Sequence, residues 1–216
     1  MAEKGARKKR ILDASERLFA EHGYDGVTLR QIAKLAEVDV ALTHYHFGSK
    51  DGLFRAVFER RAVILNLART EALEACLAAA APNAPKLEAI IEAYLRPLGN
   101  IQGSADDGWR HYLSLVAWVN SSTEWGNELM SEYFNPFVQR FIDALRQALP
   151  DADEEALHWG YQFMSGALTL TFADTGRMDQ LSNGRASSSK TETGYDHMIP
   201  FISAGFQRIC APAPRD

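Results

Sequence analysis

A short stretch that starts at Val40 carries the side chains best suited to contact a nucleic acid. Val40 and Ala41 are short enough to let a backbone approach a base edge, and either can touch a thymine methyl group. Thr43, His44 and Tyr45 add two hydroxyls and an imidazole, which form hydrogen bonds with base edges or phosphates. A helix that enters the major groove needs this combination near its N-terminus. The stretch therefore predicts contact with double-stranded DNA.

Local capping signals place this stretch on the second of two short helices. Thr28 and Gln31 form a capping box, which starts a helix that ends near residue 35 or 36. Asp39 is suited to cap a second helix over residues 40–47. Two short helices joined by so tight a turn indicate a helix-turn-helix.

The helices on either side are predicted from similar signals. Apolar spacing predicts a supporting helix over about residues 7–22, and Gly23 is suited to end it in the left-handed conformation. Ser49 is suited to cap a long helix that begins at Lys50. The two short helices are thus expected between a supporting helix and a long connecting helix.

Residues 36–53 resemble the recognition helix and the start of the fourth helix of the TetR family of transcriptional regulators. The pattern from Ile11 to Ala33 falls at the family's spacing, so the resemblance covers about residues 8–57. The resemblance implies that Tyr45 and Lys50 contact phosphates and that residues 28–31 hold the opposite strand. The residues expected to bind DNA are Thr28, Arg30, Gln31, Val40, Ala41, Leu42, Thr43, His44, Tyr45 and Lys50.

Two departures from the family pattern affect the details of this site. Glu37 stands where the family has glycine in the turn, and a left-handed backbone there costs a non-glycine residue ~1 kcal/mol. Leu42 and Thr43 look exchanged relative to the family, which has the smaller residue first. Either of the two can therefore be the one that faces DNA.

Beyond residue 60 the apolar spacing is helical, and no alternating run predicts a strand. Helices are expected at about 50–80, 85–100, 106–120, 124–149 (kinked or broken at Pro136), 153–176 and 194–211, with a mobile loop over 179–194. The expected fold is all-α. A helix-turn-helix domain takes residues 1–50, with the first turns of the connecting helix to about 60, and an effector-binding and dimerisation domain takes 51–216.

The last two long helices are apolar on more than one face. Gly160 and Gly166 are costly inside a helix, a cost that close helix packing usually offsets. A helix with two buried faces needs two partners. The resemblance implies that one partner is a second chain, in a four-helix bundle; the alternative is a helix central in a monomer. The expected interface is Leu157, Tyr161, Met164, Leu168, Met198, Ile202, Phe206 and Ile209, while Trp159, Phe163, Ala167 and Leu170 form a second stripe.

Aromatic residues are concentrated in the C-terminal part of the chain, which includes all four tryptophans. Aromatic interiors between helices form apolar ligand cavities, but they also form ordinary cores. The candidate lining of an effector cavity is Trp109, Tyr112, Trp118, Phe134, Trp159 and Phe163, with His111 or Asn120 as polar anchors. The expected effector is a small, largely apolar molecule.

Charge and composition limit the class of protein. The net charge of −5 divides into +3 over residues 1–61 and −8 over the remainder, as a basic DNA-binding head on an acidic body would give. No apolar run reaches the roughly 18 residues of a membrane span. Cys76 and Cys210 form no paired motif and suit a reduced cytoplasm. No membrane partner and a cytoplasmic location are therefore expected.

Three functions remain open at this point. A di-iron bundle enzyme needs Glu-x-x-His on two helices, and the pattern occurs once, from Glu155 to His158. No other catalytic motif is present, so we expect no catalysis, metal or cofactor. The favoured function is a homodimeric repressor that binds a pseudo-palindromic operator and is released by a small ligand. An activator without a small-molecule effector is the other alternative.

Overall fold

Every regular element of the described residues is a helix, which confirms the all-α prediction. The structure, a computed structural model, describes residues 2–102, 108–172 and 175–211. The helices within these ranges are α1 (Ala2–His22), α2 (Leu29–Leu35), α3 (Val40–Phe47), α4 (Lys50–Ala80), α5 (Leu87–Gln102), α6 (Gly108–Ser121), α7 (Gly126–Ala148), α8 (Glu154–Phe172), α9 (Arg177–Leu181) and α10 (Thr191–Ile209). None of the described helices combines the length and the apolar character that a bilayer span requires.

The first compact unit joins two separate parts of the chain, Met1–Ile64 and Ser104–Tyr133. Helix α1 packs against both α2 and α6, and α2 packs against α3. The buried apolar side chains of this unit include Ile11, Phe19, Ile32, Phe54 and Tyr112. Because α6 packs on α1, residues 104–133 belong to the unit that contains the helix-turn-helix. The domain division predicted at residue 50 stays a prediction beside this grouping of helices.

The second compact unit consists of Leu65–Gly103 and Phe134–Asp216. Helix α10 packs against both α5 and α8. Gly160 lies at the α8–α10 contact, because a Cβ atom there would collide with the ring of Phe206. The predicted close packing at Gly160 is confirmed. Gly166, in contrast, has open space where its side chain would be.

Two predictions of local structure differ from the structure in part. The loop predicted over 179–194 begins within α9 and ends within α10, and the Asp179 carboxylate organises the turn after α9. The carboxylate accepts hydrogen bonds from the Ser187 hydroxyl (2.9 Å), the Ser188 amide (3.0 Å) and the Ser188 hydroxyl (2.6 Å). These bonds, led by those of Ser188, lower the pKa of Asp179 to about 2. Helix α7 continues through Pro136, so the predicted break does not occur, while the alternative, a kink, stays a prediction.

Candidate DNA-binding site

The N-terminus of α2 is closed by the predicted capping box. The Thr28 amide donates to Gln31 Oε1 at 2.8 Å, and the Gln31 amide donates to Thr28 Oγ1 at 3.3 Å. Val27 before the cap and Ile32 after it are both buried, so the helix start is anchored in the core. Thr28 and Gln31 nevertheless remain exposed, as does Arg30. The three residues expected to hold a phosphate therefore share one accessible helix end.

The turn between α2 and α3 depends on a strained residue and a cap. Glu37 has a φ of +53°, in the left-handed region, which confirms why the family pattern calls for glycine there. The Val38 amide donates to the Ala33 carbonyl at 3.0 Å, which closes the turn. Asp39 then caps α3, because its carboxylate accepts the Ala41 amide at 2.7 Å. Both capping predictions for the helix pair are confirmed.

Burial decides which side of α3 faces outward. Thr43 is 1% exposed, whereas Leu42 is half-buried. Thr43 thus faces the core of its own unit, and its hydroxyl finds no hydrogen-bond partner among the described residues. Of the two exchanged residues, Leu42 is the one with surface left for DNA. The prediction that Thr43 binds DNA is therefore corrected.

The outward side of α3 presents Ala41, His44 and Tyr45. Tyr45 is 69% exposed, and its ring meets His46 edge-on at a centroid distance of 5.2 Å. His44 Nδ1 lies 3.0 Å from the Gly48 carbonyl oxygen. A carbonyl can only accept, so Nδ1 carries the proton and Nε2 of the neutral ring is an acceptor. Val40, at the first position of the helix, is half-buried.

Lys50 starts α4 under the predicted Ser49 cap, whose hydroxyl accepts the Gly52 amide at 3.0 Å. The Lys50 ammonium lies 4.2 Å from the centroid of the Tyr24 ring. Tyr24 in turn packs against Trp125 at 4.8 Å. Sequence reasoning missed this aromatic support, because in the sequence Tyr24 looks simply like part of a turn.

A buried ionic cluster fixes α1 to α4 and was also missed. Glu16, 1% exposed, accepts hydrogen bonds from Arg61 Nε at 2.9 Å and Arg61 Nη2 at 2.8 Å. Arg60 Nη2 lies 2.8 Å from the same carboxylate, at ion-pair distance but without hydrogen-bond alignment, and Arg60 Nη1 donates to Asp13 at 2.6 Å. Burial opposes ionisation of Asp13, yet hydrogen bonds from Lys9 and Arg60 prevail and lower its pKa. The partners are far apart in sequence, so no local signal joins them.

The six residues expected to line one effector cavity are distributed over both compact units. Trp109 and Tyr112 are buried in the first unit, with ring centroids 5.6 Å apart, and Trp118 of that unit is 37% exposed. Phe134 is buried in the second unit. Trp159 and Phe163 also belong to the second unit, but they stack on its surface. The assignment of these six residues to one cavity stays a prediction.

The residues expected at the dimer interface lie mostly inside one chain. Those buried in the second unit are Leu157, Met164, Met198, Ile202 and Phe206. Tyr161 and Leu168 are half-buried, and Ile209 is 40% exposed. A side chain already buried in its own core has no surface to offer a partner, so the assignment is corrected for these five residues. For Tyr161, Leu168 and Ile209 it stays a prediction. The exposed apolar side chains of α8 and α10 are instead Trp159, Phe163, Leu170, Phe201 and Ile209.

An exposed, capped second helix in a helix-turn-helix is the arrangement by which DNA-binding regulators present a recognition helix. Residues 11–57 match the family model of bacterial regulatory proteins of the tetR family, and residues 92–205 match that of the tetracyclin repressor-like C-terminal domain. The chain belongs to the TetR family. Members of this family regulate transcription by binding DNA, which confirms the predicted class and sets the enzyme alternative aside.

Similar proteins agree with this assignment. The regulator BetI of Rhizobium meliloti is 36% identical over 90 residues, 42% of each chain. The biofilm-operon negative regulator IcaR of Staphylococcus aureus is 45% identical over 47 residues, 22% of this chain and 25% of its own. The chain thus matches about two fifths or less of these relatives. Among solved structures, the hemolysin II regulator HlyIIR shares the fold with a TM-score of 0.58 at 16% identity, over 97% of this chain and 99% of its own.

Proposed function

We propose that the chain is a homodimeric transcriptional repressor that binds a pseudo-palindromic operator and is released from it by a small ligand. The observation that carries the proposal is the two-sided character of α3. Thr43 holds one side in the core, while Ala41, His44 and Tyr45 stay exposed on the other. A helix held in this way can enter the major groove without losing its support. Negative regulation is the described role of IcaR, which supports repression here.

Base recognition is assigned to the outward side of α3. Ala41 and Leu42 offer apolar contact to a thymine methyl group. His44 offers an acceptor, Nε2, because Nδ1 is bound to Gly48. In the major groove an acceptor pairs with the amino group of adenine or cytosine. We expect each half-site to contain one position where a base with such an amino group is required.

Phosphate contacts are assigned to the two exposed helix starts beside α3. Thr28, Arg30 and Gln31 stand at the start of α2, and Lys50 stands at the start of α4. Helix N-termini attract anions through their unpaired amides and dipole. These contacts release counterions, so affinity for every sequence should fall steeply with salt.

The dimer is assigned to the exposed apolar stripe of α8 and α10. Trp159 is 51% exposed, Phe163 58%, and Leu170 and Phe201 70% each. Gly166 and Gly205 have open space above them, so a partner helix can approach the backbone closely there. An apolar patch of this kind marks an association surface. Sedimentation at micromolar concentration should show a dimer; a stable monomer would contradict the assignment.

Release by an effector requires a ligand that binds the DNA-free state better. If the ligand prefers the DNA-free state by about 1–3 kcal/mol, it lowers the affinity for operator DNA by about 5–150-fold. Operator DNA must then lower the affinity for the ligand by the same factor. The check is a titration of operator DNA with and without each ligand that raises the melting temperature. If every such ligand leaves operator affinity unchanged, the release part of the proposal fails.

The central experiment is selection of genomic DNA by the purified protein, followed by affinity measurement at several salt concentrations. Lys50→Ala should weaken binding to specific and random DNA alike and reduce the salt slope by about one. Lys86→Ala is the matched control, because Lys86 is exposed in the second unit. If no genomic site binds more tightly than random DNA, the proposed function is wrong.

A further inference from the structure

Helix α4 buries the side chain of Arg69 inside the second unit, where it is 2% exposed. Its Nε donates a hydrogen bond to the Tyr94 carbonyl oxygen at 3.0 Å. Its guanidinium carbon lies 4.0 Å from the centroid of the Tyr94 ring and 6.0 Å from that of Phe137. The charged group therefore rests on aromatic faces and one backbone carbonyl.

Among the residues that the structure describes, no carboxylate compensates this charge. Within the described side chains, 5–101, 108–171 and 175–211, no Asp or Glu forms an ion pair with Arg69. A buried, always-protonated guanidinium without a counter-charge is unfavourable, and proteins normally pair such groups. Aromatic faces offset only part of that desolvation.

Two phenols of the second unit, Tyr161 and Tyr195, interact electrostatically with Arg69. Burial and the neighbouring Tyr94 raise the pKa of Tyr161, although Arg69 acts in the opposite direction. Burial likewise raises the pKa of Tyr195 against the influence of Arg69. Neutral phenols donate and accept hydrogen bonds, but they cannot neutralise a cation. The cluster thus combines one cation, several hydroxyls and apolar walls, which include Phe141 at 4.7 Å from Tyr94.

We propose that the effector is a small carboxylic acid with an apolar body, whose carboxylate pairs with Arg69. The planar guanidinium fork matches a carboxylate in two parallel hydrogen bonds. The aromatic rings beside the guanidinium, those of Tyr94 and Phe137, accept the apolar body. This inference rests on the proposed effector-controlled regulator and adds the charge of the ligand and its anchoring residue.

The binding site also has a defined place in the chain. Arg69 lies on α4, the helix that begins with Lys50. Tyr161 and Tyr195 lie on α8 and α10, which carry the exposed apolar stripe. A ligand bound between Arg69 and these phenols therefore acts on α4, whose first residue, Lys50, is a proposed phosphate contact. It also acts on α8 and α10, which carry the proposed dimer surface.

The test measures binding of straight-chain C6–C12 and aryl carboxylic acids to the full chain, each beside its methyl ester. Thermal shift identifies binders, and calorimetry gives their affinity. We expect at least one acid to bind while its ester does not. Arg69→Met should lower the affinity for that acid by at least about 30-fold, because it removes one partner of a buried charge pair. Arg140→Met, an exposed arginine of the same unit paired with Glu74, should change little.

Arg69→Lys keeps the charge without the fork and covers the case in which the methionine variant does not fold. It should lower the affinity for the acid by about 10-fold. The inference is overturned if no acid binds the wild type, or if acids bind the folded Arg69 variants as well as they bind the wild type. Operator affinity, measured on the same proteins without ligand, separates this failure from failure of the proposed function.

Discussion

Two arginines buried in α4, eight residues apart, have opposite surroundings. Arg61 belongs to the first unit, is 6% exposed, and pairs through two nitrogens with Glu16. Arg69 belongs to the second unit, is 2% exposed, and meets only a carbonyl oxygen and aromatic rings among the described residues. The DNA-binding unit thus neutralises its buried charge internally. The other unit leaves one buried charge without a carboxylate among the described residues, and the proposed anion site rests on this difference.

The largest effect is expected from breaking the compensated pair. Glu16→Gln leaves Arg61 buried without its counter-charge, and this should lower the free energy of unfolding by about 3–5 kcal/mol. Urea unfolding, followed by circular dichroism, measures the change. Glu21→Gln is the control on the same helix, because its pair with Arg17 is exposed and should contribute at most about 1 kcal/mol. Equal effects of the two substitutions would contradict the internal role of Glu16.

The uncompensated arginine should behave in the opposite way. Arg69→Met removes an unpaired buried charge and keeps the apolar volume, so stability without ligand should stay equal or rise by about 1–4 kcal/mol. Arg61→Met, the same exchange in the first unit, should lower stability instead, because Glu16 loses its bidentate partner. The same unfolding experiment compares both. If Arg69→Met destabilises the chain as much as Arg61→Met does, Arg69 serves the fold and the contrast disappears.

A smaller effect is expected at the one hydroxyl that the first unit leaves unsatisfied on α3. Thr43→Val keeps the shape of the side chain and removes a buried hydroxyl without a hydrogen-bond partner. The free energy of unfolding should therefore rise by about 1 kcal/mol. Thr28→Val makes the same exchange at a hydroxyl that caps α2, and it should lower the free energy of unfolding by about 1 kcal/mol. A loss of stability in Thr43→Val would mean that its hydroxyl has a partner.

The smallest effect concerns a half-buried carboxylate, that of Asp179, which receives hydrogen bonds within the second unit. The pKa of Asp179 is lowered to about 2 from an ordinary value of 3.8. Its stabilising contribution is therefore complete above pH 3.8 and is lost as the pH falls towards 2. The difference in stability between wild type and Asp179→Asn should shrink over that interval. A difference that stays constant from pH 5 to pH 2 would argue against the hydrogen bonds of Ser187 and Ser188.

Local chemistry made the helix-turn-helix predictable, whereas long-range pairing remained hidden. The caps at Thr28 and Asp39 and the left-handed turn at Glu37 depend on residues within a few positions of one another. The partners Glu16 and Arg61 are 45 residues apart, and sequence offers no rule that joins them. For α8, the sequence could not tell which of two apolar stripes packs against the core of its own chain. Periodicity gives the faces of a helix but not which one its own core covers.

The discontinuity of the first unit limits how this protein can be recombined with others. Its parts, Met1–Ile64 and Ser104–Tyr133, are separated by 39 residues that belong to the second unit. A graft of the N-terminal segment alone onto a foreign receptor would uncover the side of α1 on which α6 packs. A working chimera must therefore carry α6 along with the recognition helix. Transferring DNA specificity between such regulators then requires exchanging two segments, or only the exposed residues of α3.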